Sequence, residues 1–308
     1  MAQLLARLGP DWHVRRYRTQ NHRTLCAQIS DGHAVAIAKC RLETDGKHHM
    51  EKEAAAMSRA YAACRDAGNR IAIPRPIAHY TDLQAVVMSE IPGVSLEHAL
   101  KRRWNSRAGI LRATGAALAA FHEMTGCVEK TAPQLWHENT VPPSIRAACE
   151  SRAEHIWADD VLDAYLGAAA RTREDPVPFG FTHEDLAPRN VLVDRFDIGF
   201  IDFENSQKTH CLNDLARLAL GIQIQRGLPH AWRRGDRLGL GFEGLVLDNL
   251  SDGYNLAGRH EHHFATISLR AALQTWQWAK RHQDRRQSPG MIRDRAARLA
   301  ERIAKALR

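Results

Sequence analysis

The chain has 308 residues, of which 44% are hydrophobic and 25% are charged; this is ordinary globular composition and excludes a disordered protein. Its length suits two domains or one domain with two lobes. The net charge of +8 comes from basic residues scattered along the chain without interleaved aromatic side chains, so we do not expect nucleic-acid binding.

The sequence carries no pattern typical of export or membrane insertion. The first residues lack the apolar stretch of a secretion signal. No run approaches the roughly 18 apolar residues that a membrane-spanning helix needs. The six cysteines are far apart and form no C-x-x-C pair, which favours free buried thiols over a disulfide framework or a zinc site. We therefore expect a cytoplasmic protein without membrane insertion.

The first ninety residues predict a small β-rich lobe with one helix. Residues 14–29 have a strand-like pattern, and a turn at Asp31-Gly32 separates them from the apolar run 34–38, which ends on Lys39. This order predicts a β-hairpin. The later elements predicted in this lobe are a helix at 49–64 and strands at 77–80 and 84–89.

From residue 96 onward the pattern is mainly helical. Two short β-like runs, residues 190–193 and 198–202, flank a turn. The main helices predicted here are residues 111–123, 145–173, 265–283 and 292–307. We therefore predict an α+β protein with two lobes. Residues 1–90 would form a small antiparallel sheet lobe that binds nucleotide, and residues 91–308 a larger helical lobe with the catalytic loop and the acceptor site.

Residues 183–202 contain the side chains with the clearest chemical meaning. Asp185 and Asn190 lie five positions apart on a predicted tight loop, and the following hairpin returns Asp202 beside Asn190. Phosphoryl transfer needs a carboxylate that orients the attacking hydroxyl group and accepts its proton. It also needs oxygen ligands that hold Mg²⁺ against the phosphates. The spacing therefore predicts phosphoryl-transfer chemistry.

At these positions the sequence resembles the aminoglycoside phosphotransferase and choline kinase branch of the kinase-like superfamily. The family pattern H-x-D-x-x-x-x-N is matched by His183, Asp185 and Asn190. The resemblance implies a protein-kinase-like fold, ATP as phosphate donor, Asp185 as catalytic base, and Asn190 and Asp202 as Mg²⁺ ligands. It also implies that His183 supports the loop and that Asp214, in a D-L-A element, has a structural role.

The N-terminal lobe offers a predicted nucleotide-binding pair. Lys39 ends an apolar strand, where its ammonium group can reach the α- and β-phosphates of ATP. Glu53 on the next helix is expected to hold Lys39, in preference to Glu51, because residues 53–57 resemble the E-A-A pattern of the family. The hinge residues expected to offer backbone groups to adenine are Ser89, Glu90 and Ile91.

The segment expected to cover the phosphates departs from the glycine-rich pattern. Residues 19–23 contain no glycine, so Asn21, His22 or Arg23 is expected to contact phosphate in place of bare backbone.

The catalytic segment departs from the protein-kinase pattern at two positions. Glu204 stands where protein kinases have glycine; it is either a ligand of a second metal ion or a supporting acid. Ala187 replaces their catalytic-loop lysine, which disfavours a protein substrate. Arg189 is either a phosphate contact or a loop-surface residue.

Taken together, the sequence predicts an ATP- and Mg²⁺-dependent O-phosphotransferase that acts on a hydroxyl group of a small molecule of the aminoglycoside, sugar or amino alcohol type. The alternatives are a non-catalytic nucleotide-binding relative, or a kinase of a glycolipid or protein acceptor. The acceptor is expected between residues 131–173 and the helices after residue 206. The sequence leaves open the identity of this acceptor, the choice between ATP and GTP, and the oligomeric state.

Overall fold

The computed structural model describes residues 1–20, 23–42, 47–65, 71–102, 106–131, 139–195, 197–225, 235–256, 258, 260–282 and 289–308. Within these ranges, no helix is long and apolar enough to cross a bilayer. Asn21 and His22, predicted to contact phosphate, lie outside the described residues.

The first six strands are β1 (His13–Gln20), β2 (Thr24–Ser30), β3 (Val35–Arg41), β4 (Ile71–Ala72), β5 (Pro76–Tyr80) and β6 (Ala85–Ser89). Five of them form an antiparallel sheet in the order β1-β2-β3-β6-β5. The predicted turn at Asp31-Gly32 is confirmed between β2 and β3, whereas residues 14–29, predicted as one strand, form two paired strands, β1 and β2. The turn between β2 and β3 is closed by Asp31, whose carboxylate accepts hydrogen bonds from the backbone N–H groups of His33 and Ala34.

Strand β3 has alternating faces, and this alternation aims its charged side chains. Ala36, Ala38 and Cys40 are buried in a small core with Leu4 of helix α1 (Ala2–Leu8). Because successive side chains of a strand point to opposite faces, Lys39 and Arg41 share the other face. The predicted helix that follows is confirmed as α2 (Lys47–Cys64).

The remaining helices are α3 (Leu96–Arg102), α4 (Arg107–Met124), α5 (Val141–Arg146), α6 (Arg152–Thr172), α7 (Leu212–Gln225), α8 (Gly244–Tyr254), α9 (Glu261–Arg281) and α10 (Pro289–Leu307). The remaining strands are β7 (Val94–Ser95), β8 (Val128–Lys130), β9 (Val177–Thr182), β10 (Val191–Asp194), β11 (Asp197–Phe200) and β12 (Gln207–His210). They form two small sheets, with orders β4-β11-β10-β7 and β12-β9-β8. Strands β8, β9 and β12 are not indicated by the sequence, because they lack a regular apolar alternation.

The prediction of one continuous helix over residues 145–173 is wrong. The chain forms α5 and α6 instead, because Ser151 begins a new helix with a capping box. The Ser151 hydroxyl accepts from the backbone N–H of Glu154 at 3.2 Å, and the Glu154 carboxylate accepts from the backbone N–H of Ser151 at 3.3 Å. Reciprocal bonds of this kind satisfy two N–H groups that a helix start leaves unpaired.

The predicted hairpin of residues 190–202 is confirmed as β10 and β11, with Val191 opposite Phe200. Strand β4 pairs with β11 in parallel, so a strand that precedes residue 90 adds to a sheet that follows it. The lobe boundary at residues 90 and 91 therefore stays a prediction.

Aromatic rings pack against the β10–β11 hairpin and the residues that follow it. The ring of Phe121 on α4 lies 5.5 Å from the ring of Phe200 and 6.2 Å from the rings of Phe203 and Phe181, measured between centroids. These buried rings belong to the main hydrophobic core. The segment around residues 200–203 is thereby fixed against the helices.

The backbones of helices α4 and α8 come into direct contact at two glycines. A Cβ atom on Gly115 would lie 2.2 Å from the carbonyl oxygen of Leu250, and one on Gly253 would lie 2.0 Å from that of Arg112. Both distances are shorter than a real contact, and both neighbours are backbone atoms. Glycine at these positions is therefore what lets the two helices approach so closely.

We predict that Gly253→Ala lowers the free energy of unfolding by about 3 kcal/mol, the upper end of overpacking costs, because the helices must move apart. The matched control is Gly167→Ala in α6, where the new methyl group meets only the Arg171 side chain at 3.5 Å. That change should stabilise the protein by about 0.5–1 kcal/mol, since alanine favours a helix over glycine. Urea unfolding of both variants checks this, and equal effects would contradict it.

Candidate active site

The loop of residues 183–190 connects β9 to β10 and ends in a short 3-10 turn, Pro188–Asn190. The side-chain amide of Asn190 donates to the backbone oxygen of Asp185 at 2.8 Å and to its carboxylate at 3.3 Å. Asn190 is buried, whereas the Asp185 side chain is 35% exposed. The loop is thus closed on itself, with the Asp185 carboxylate open to solvent.

The buried carboxylate of Asp214 fixes the backbone of this loop. Asp214, in the first turn of α7, accepts hydrogen bonds from the backbone N–H groups of His183 at 2.7 Å and Glu184 at 2.8 Å. The ring of His122 lies 3.0 Å from the same carboxylate and 2.8 Å from the hydroxyl of Tyr254. Burial alone would raise the pKa of Asp214, but hydrogen bonding and attraction from His122 hold it below its ordinary value.

Two residues of the site have left-handed backbone. The φ angle is +62° at Glu184 and +73° at Asp202. Residues with side chains adopt this region only where the surroundings fix them. At Glu184, the hydrogen bond from its N–H group to Asp214 fixes the backbone. At Asp202, the backbone is fixed through the hydrogen bonds of the preceding residue, Ile201. The Ile201 N–H donates to the backbone oxygen of Asn190 at 3.1 Å, and the Ile201 oxygen lies 2.8 Å from the ring of His183.

The Lys39 ammonium group connects three separate parts of the chain. Its nitrogen donates to both carboxylate oxygens of Glu53, at 3.0 and 2.8 Å, and to the carboxylate of Asp202 at 2.6 Å. Lys39 is 12% exposed and Glu53 2%. The sequence predicted the Lys39–Glu53 pair, and the structure brings it together.

The charges of this cluster depend on one another. Burial alone would lower the pKa of Lys39, but the carboxylates of Glu53 and Asp202 raise it well above its ordinary value. Burial raises the pKa of Glu53 to about 7, against the opposing effect of Lys39. Burial also opposes the ionisation of Asp202, yet the Lys39 ammonium group keeps the pKa of Asp202 low. Lys39 is therefore the common counter-charge of the site.

A second group of charges lies beside the first. Glu204 forms an ion pair with the guanidinium group of Arg41, and its carboxylate lies 3.2 Å from the ring of His49 and 3.7 Å from the Lys39 nitrogen. Sequence reasoning missed Arg41 and His49. The signal for Arg41 was present, because a residue two positions after Lys39 on a strand shares its face.

The oxygen donors of Asp202 and Asn190 could hold a magnesium ion. Carboxylate oxygens of Glu53, Asp202 and Glu204 lie within 4.8 Å of one another, with the Lys39 ammonium group already among them. The other predicted ligand is Asn190. Its backbone oxygen accepts a hydrogen bond from the Ile201 N–H, which brings Asn190 next to Asp202. A set made only of oxygen donors is what Mg²⁺ prefers. The roles of Asn190 and Asp202 as ligands, and of Asp185 as base, stay predictions.

The predicted hinge residues lie at the end of β6. Ser89 exchanges hydrogen bonds with the backbone of Arg75, at 2.9 Å through its N–H and 2.8 Å through its hydroxyl oxygen. The Glu90 carboxylate accepts from the side-chain amide of Gln28 at 2.6 Å. A Cβ atom on Gly199 would lie 2.8 Å from the Ile91 side chain, so Ile91 packs directly on β11. An adenine contact by this segment stays a prediction.

The exposed Arg189 side chain reaches the predicted base. Its guanidinium nitrogen lies 3.1 Å from the Asp185 carboxylate. Because Ala187 has no charge, Arg189 supplies a cation beside Asp185 that the loop otherwise lacks.

Residues 5–247 match the model of the phosphotransferase enzyme family. No curated protein sequence matches the chain.

Three solved structures with a similar fold are the following. A choline/ethanolamine kinase family protein from Mesorhizobium loti is 17% identical, with a TM-score of 0.65 over 100% of this chain and 95% of that one. Amicoumacin kinase hAmiN, in complex with AMP-PNP, Ca²⁺ and Ami, is 14% identical, with a TM-score of 0.63 over 99% and 93%. Aminoglycoside phosphotransferase APH(4)-Ia is 10% identical, with a TM-score of 0.65 over 99% and 97%. The predicted α+β protein-kinase-like fold and the predicted branch are confirmed.

We predict that Asp214→Asn lowers the free energy of unfolding by about 3 kcal/mol, because an amide removes a buried charge that the His122 ring and two N–H groups surround. The exposed Asp163 offers a matched control, and Asp163→Asn should leave the free energy of unfolding nearly unchanged. Urea unfolding at neutral pH gives the comparison.

The pH dependence of this difference has a fixed sign. The pKa of Asp214 is lower in the folded protein than its ordinary value of 3.8. Its contribution is therefore fully present above that value and is lost as the pH falls through the folded pKa. The stability gap between wild type and Asp214→Asn should shrink on acidification below about pH 4. A gap that widens there would contradict the assignment.

Proposed function

The chain belongs to the phosphotransferase enzyme family, and on that premise we propose that it transfers the γ-phosphoryl group of ATP, with Mg²⁺, to a hydroxyl group of a small molecule. The observation that carries this proposal is the Lys39 ammonium group, which lies between Glu53 and Asp202 at 2.6–3.0 Å although Asp202 is 163 positions away. Such a buried cation, oriented by one acid and facing a second, is suited to positioning nucleotide phosphates.

When bound, Mg²⁺ would neutralise charge on the phosphates and orient them. In this chain Asp202 and Asn190 would hold it. Lys39, kept in place by Glu53, would then turn from Asp202 toward the α- and β-phosphate oxygens. Glu53 is buried, and its pairing with Lys39 fixes the direction of the ammonium group before nucleotide arrives.

Asp185 is the proposed base. Its carboxylate is open to solvent, and the hydrogen bonds from Asn190 fix its position. The acceptor hydroxyl would donate its hydrogen bond to Asp185 and attack the γ-phosphorus in line. A new oxygen–phosphorus bond forms, the bond to the β-phosphate oxygen breaks, and the proton passes to Asp185. Arg189, paired with Asp185, would balance the negative charge beside the reacting group.

The proposed acceptor is a small molecule of the aminoglycoside, sugar or amino alcohol type. Ala187 removes the lysine that protein kinases carry in this loop. The structural relatives support the same class, since their names refer to choline or ethanolamine, amicoumacin and aminoglycosides. A glycolipid or protein acceptor and a non-catalytic role are the competing functions.

We predict that Asp185→Asn lowers kcat by about 10²–10⁴-fold, the usual contribution of a positioned general base, while the affinity for Mg²⁺-bound AMP-PNP stays nearly the same. The matched control is Asp194→Asn on the exposed end of β10 in the same hairpin, which should keep wild-type turnover. A wild-type kcat in Asp185→Asn would exclude Asp185 as the base.

The acceptor class is tested by incubating the purified protein with labelled ATP, Mg²⁺ and a pool of aminoglycosides, sugars and amino alcohols, followed by mass spectrometry. We expect one product class to gain a phosphoryl group, and removal of Mg²⁺ by a chelator to abolish it. Labelling confined to a glycolipid or protein fraction would overturn the small-molecule assignment. Equal background ATP consumption in wild type and Asp185→Asn with every acceptor would favour the non-catalytic alternative.

A further inference from the structure

Strand β3 and the turn after β11 are joined by two ion pairs in register. Lys39 contacts Asp202, and Arg41, two residues later on the same face of β3, contacts Glu204, two residues after Asp202. Because the two residues of each segment are two positions apart, the two ion pairs lie next to each other and join the same two segments. The Lys39–Asp202 pair belongs to the nucleotide site that is proposed above, whereas the proposed reaction gives the Arg41–Glu204 pair no role.

The Arg41–Glu204 pair is protected from solvent. The side chains of Arg41 and Glu204 are 15% and 17% exposed. Ion pairs on an open surface contribute little because water and salt screen them, and this pair is largely removed from that screening. The His49 ring, 3.2 Å from the Glu204 carboxylate, adds a further contact from α2. Glu204 is thus held on two sides by the N-terminal segments.

The turn that carries Asp202 needs such support. Asp202 has a left-handed backbone, and the short 3-10 turn after it, Phe203–Asn205, contacts α2. In the proposed reaction, Lys39 leaves Asp202 for the phosphates and Asp202 turns to the metal ion. The Lys39–Asp202 pair is then broken, and the Arg41–Glu204 pair is what still attaches the turn to β3.

We propose that Arg41 is a positioning residue, which acts through its ion pair with Glu204 to keep the Asp202 turn against β3 while Lys39 and Asp202 engage the nucleotide. This inference rests on the proposed function of the same site. It assigns Glu204 the role of a supporting acid and not that of a ligand of a second metal ion.

The first test is a double-mutant cycle with Arg41→Met, Glu204→Gln and the double variant. The affinity for Mg²⁺-bound AMP-PNP is measured by calorimetry, so that no turnover is needed. Each single change should weaken binding about ten-fold, as expected for loss of a charge-assisted bond. The double variant should bind no more weakly than either single one, and Arg41→Lys should recover part of the loss. Arg146→Met, which breaks the exposed Arg146–Asp159 pair, is the control and should bind like wild type.

Two outcomes of this cycle would overturn the proposal. Multiplicative losses in the double variant would mean that Arg41 and Glu204 act separately. A loss confined to Glu204→Gln, with a changed Mg²⁺ requirement for binding, would make Glu204 a metal ligand.

The second test does not depend on the proposed function. Amide hydrogen exchange of residues 201–206 is followed in the nucleotide-free protein, for wild type, Arg41→Met and Arg146→Met. We expect about ten-fold faster exchange in Arg41→Met alone, with the rest of the chain unchanged, because the turn has lost one of its attachments. Unchanged exchange would overturn the proposal even in a protein that binds no nucleotide. Failure of nucleotide binding in every variant, with the exchange effect intact, would count against the proposed function alone.

Discussion

The ion pairs of the buried Lys39 ammonium group are the interactions on which the organisation of the site depends. A buried cation is stable only when acids surround it, and here those acids come from α2 and from the turn after β11. The requirement to neutralise one charge therefore specifies how three segments distant in sequence meet. The same requirement orients Lys39 in advance for its proposed contact with phosphate, because Glu53 occupies the buried side and leaves the side of Asp202 to be exchanged.

The buried Asp214 carboxylate has the opposite charge and a comparable role for the loop of residues 183–190. It accepts hydrogen bonds from the backbone N–H groups of His183 and Glu184, so it fixes the path of the chain and leaves the Asp185 side chain exposed. The His122 ring links this carboxylate to α4, and Tyr254 links the ring to α8. The close crossing of α4 and α8 at Gly115 and Gly253 thus contributes to the same support.

The sequence predicted what depends on local pattern or on a specific spacing. The β2–β3 hairpin followed from a turn between apolar runs, and the pairing of Lys39 with Glu53 followed from the strand end at Lys39 together with the resemblance of residues 53–57 to the family's E-A-A pattern. The pairing of Arg41 with Glu204 did not follow, because it requires the three-dimensional approach of segments 163 positions apart. The break at Ser151 was missed for a different reason: the helical periodicity continues on both sides of the capping box, so only the capping residues mark it.

Charge balance explains why the site specifies a reaction and leaves its acceptor undetermined. In this site, the carboxylates of Glu53, Asp202 and Glu204 are opposed by Lys39 and Arg41, and each acid has a close cationic partner. In the proposed reaction, nucleotide and metal would enter this set together by exchanging partners: the phosphates would take Lys39 and the metal ion would take Asp202. The proposed acceptor hydroxyl would need only Asp185, which lies outside this set. The groups that select one small molecule over another must therefore contact the acceptor away from the paired charges, where no spacing rule of phosphoryl transfer constrains the residues.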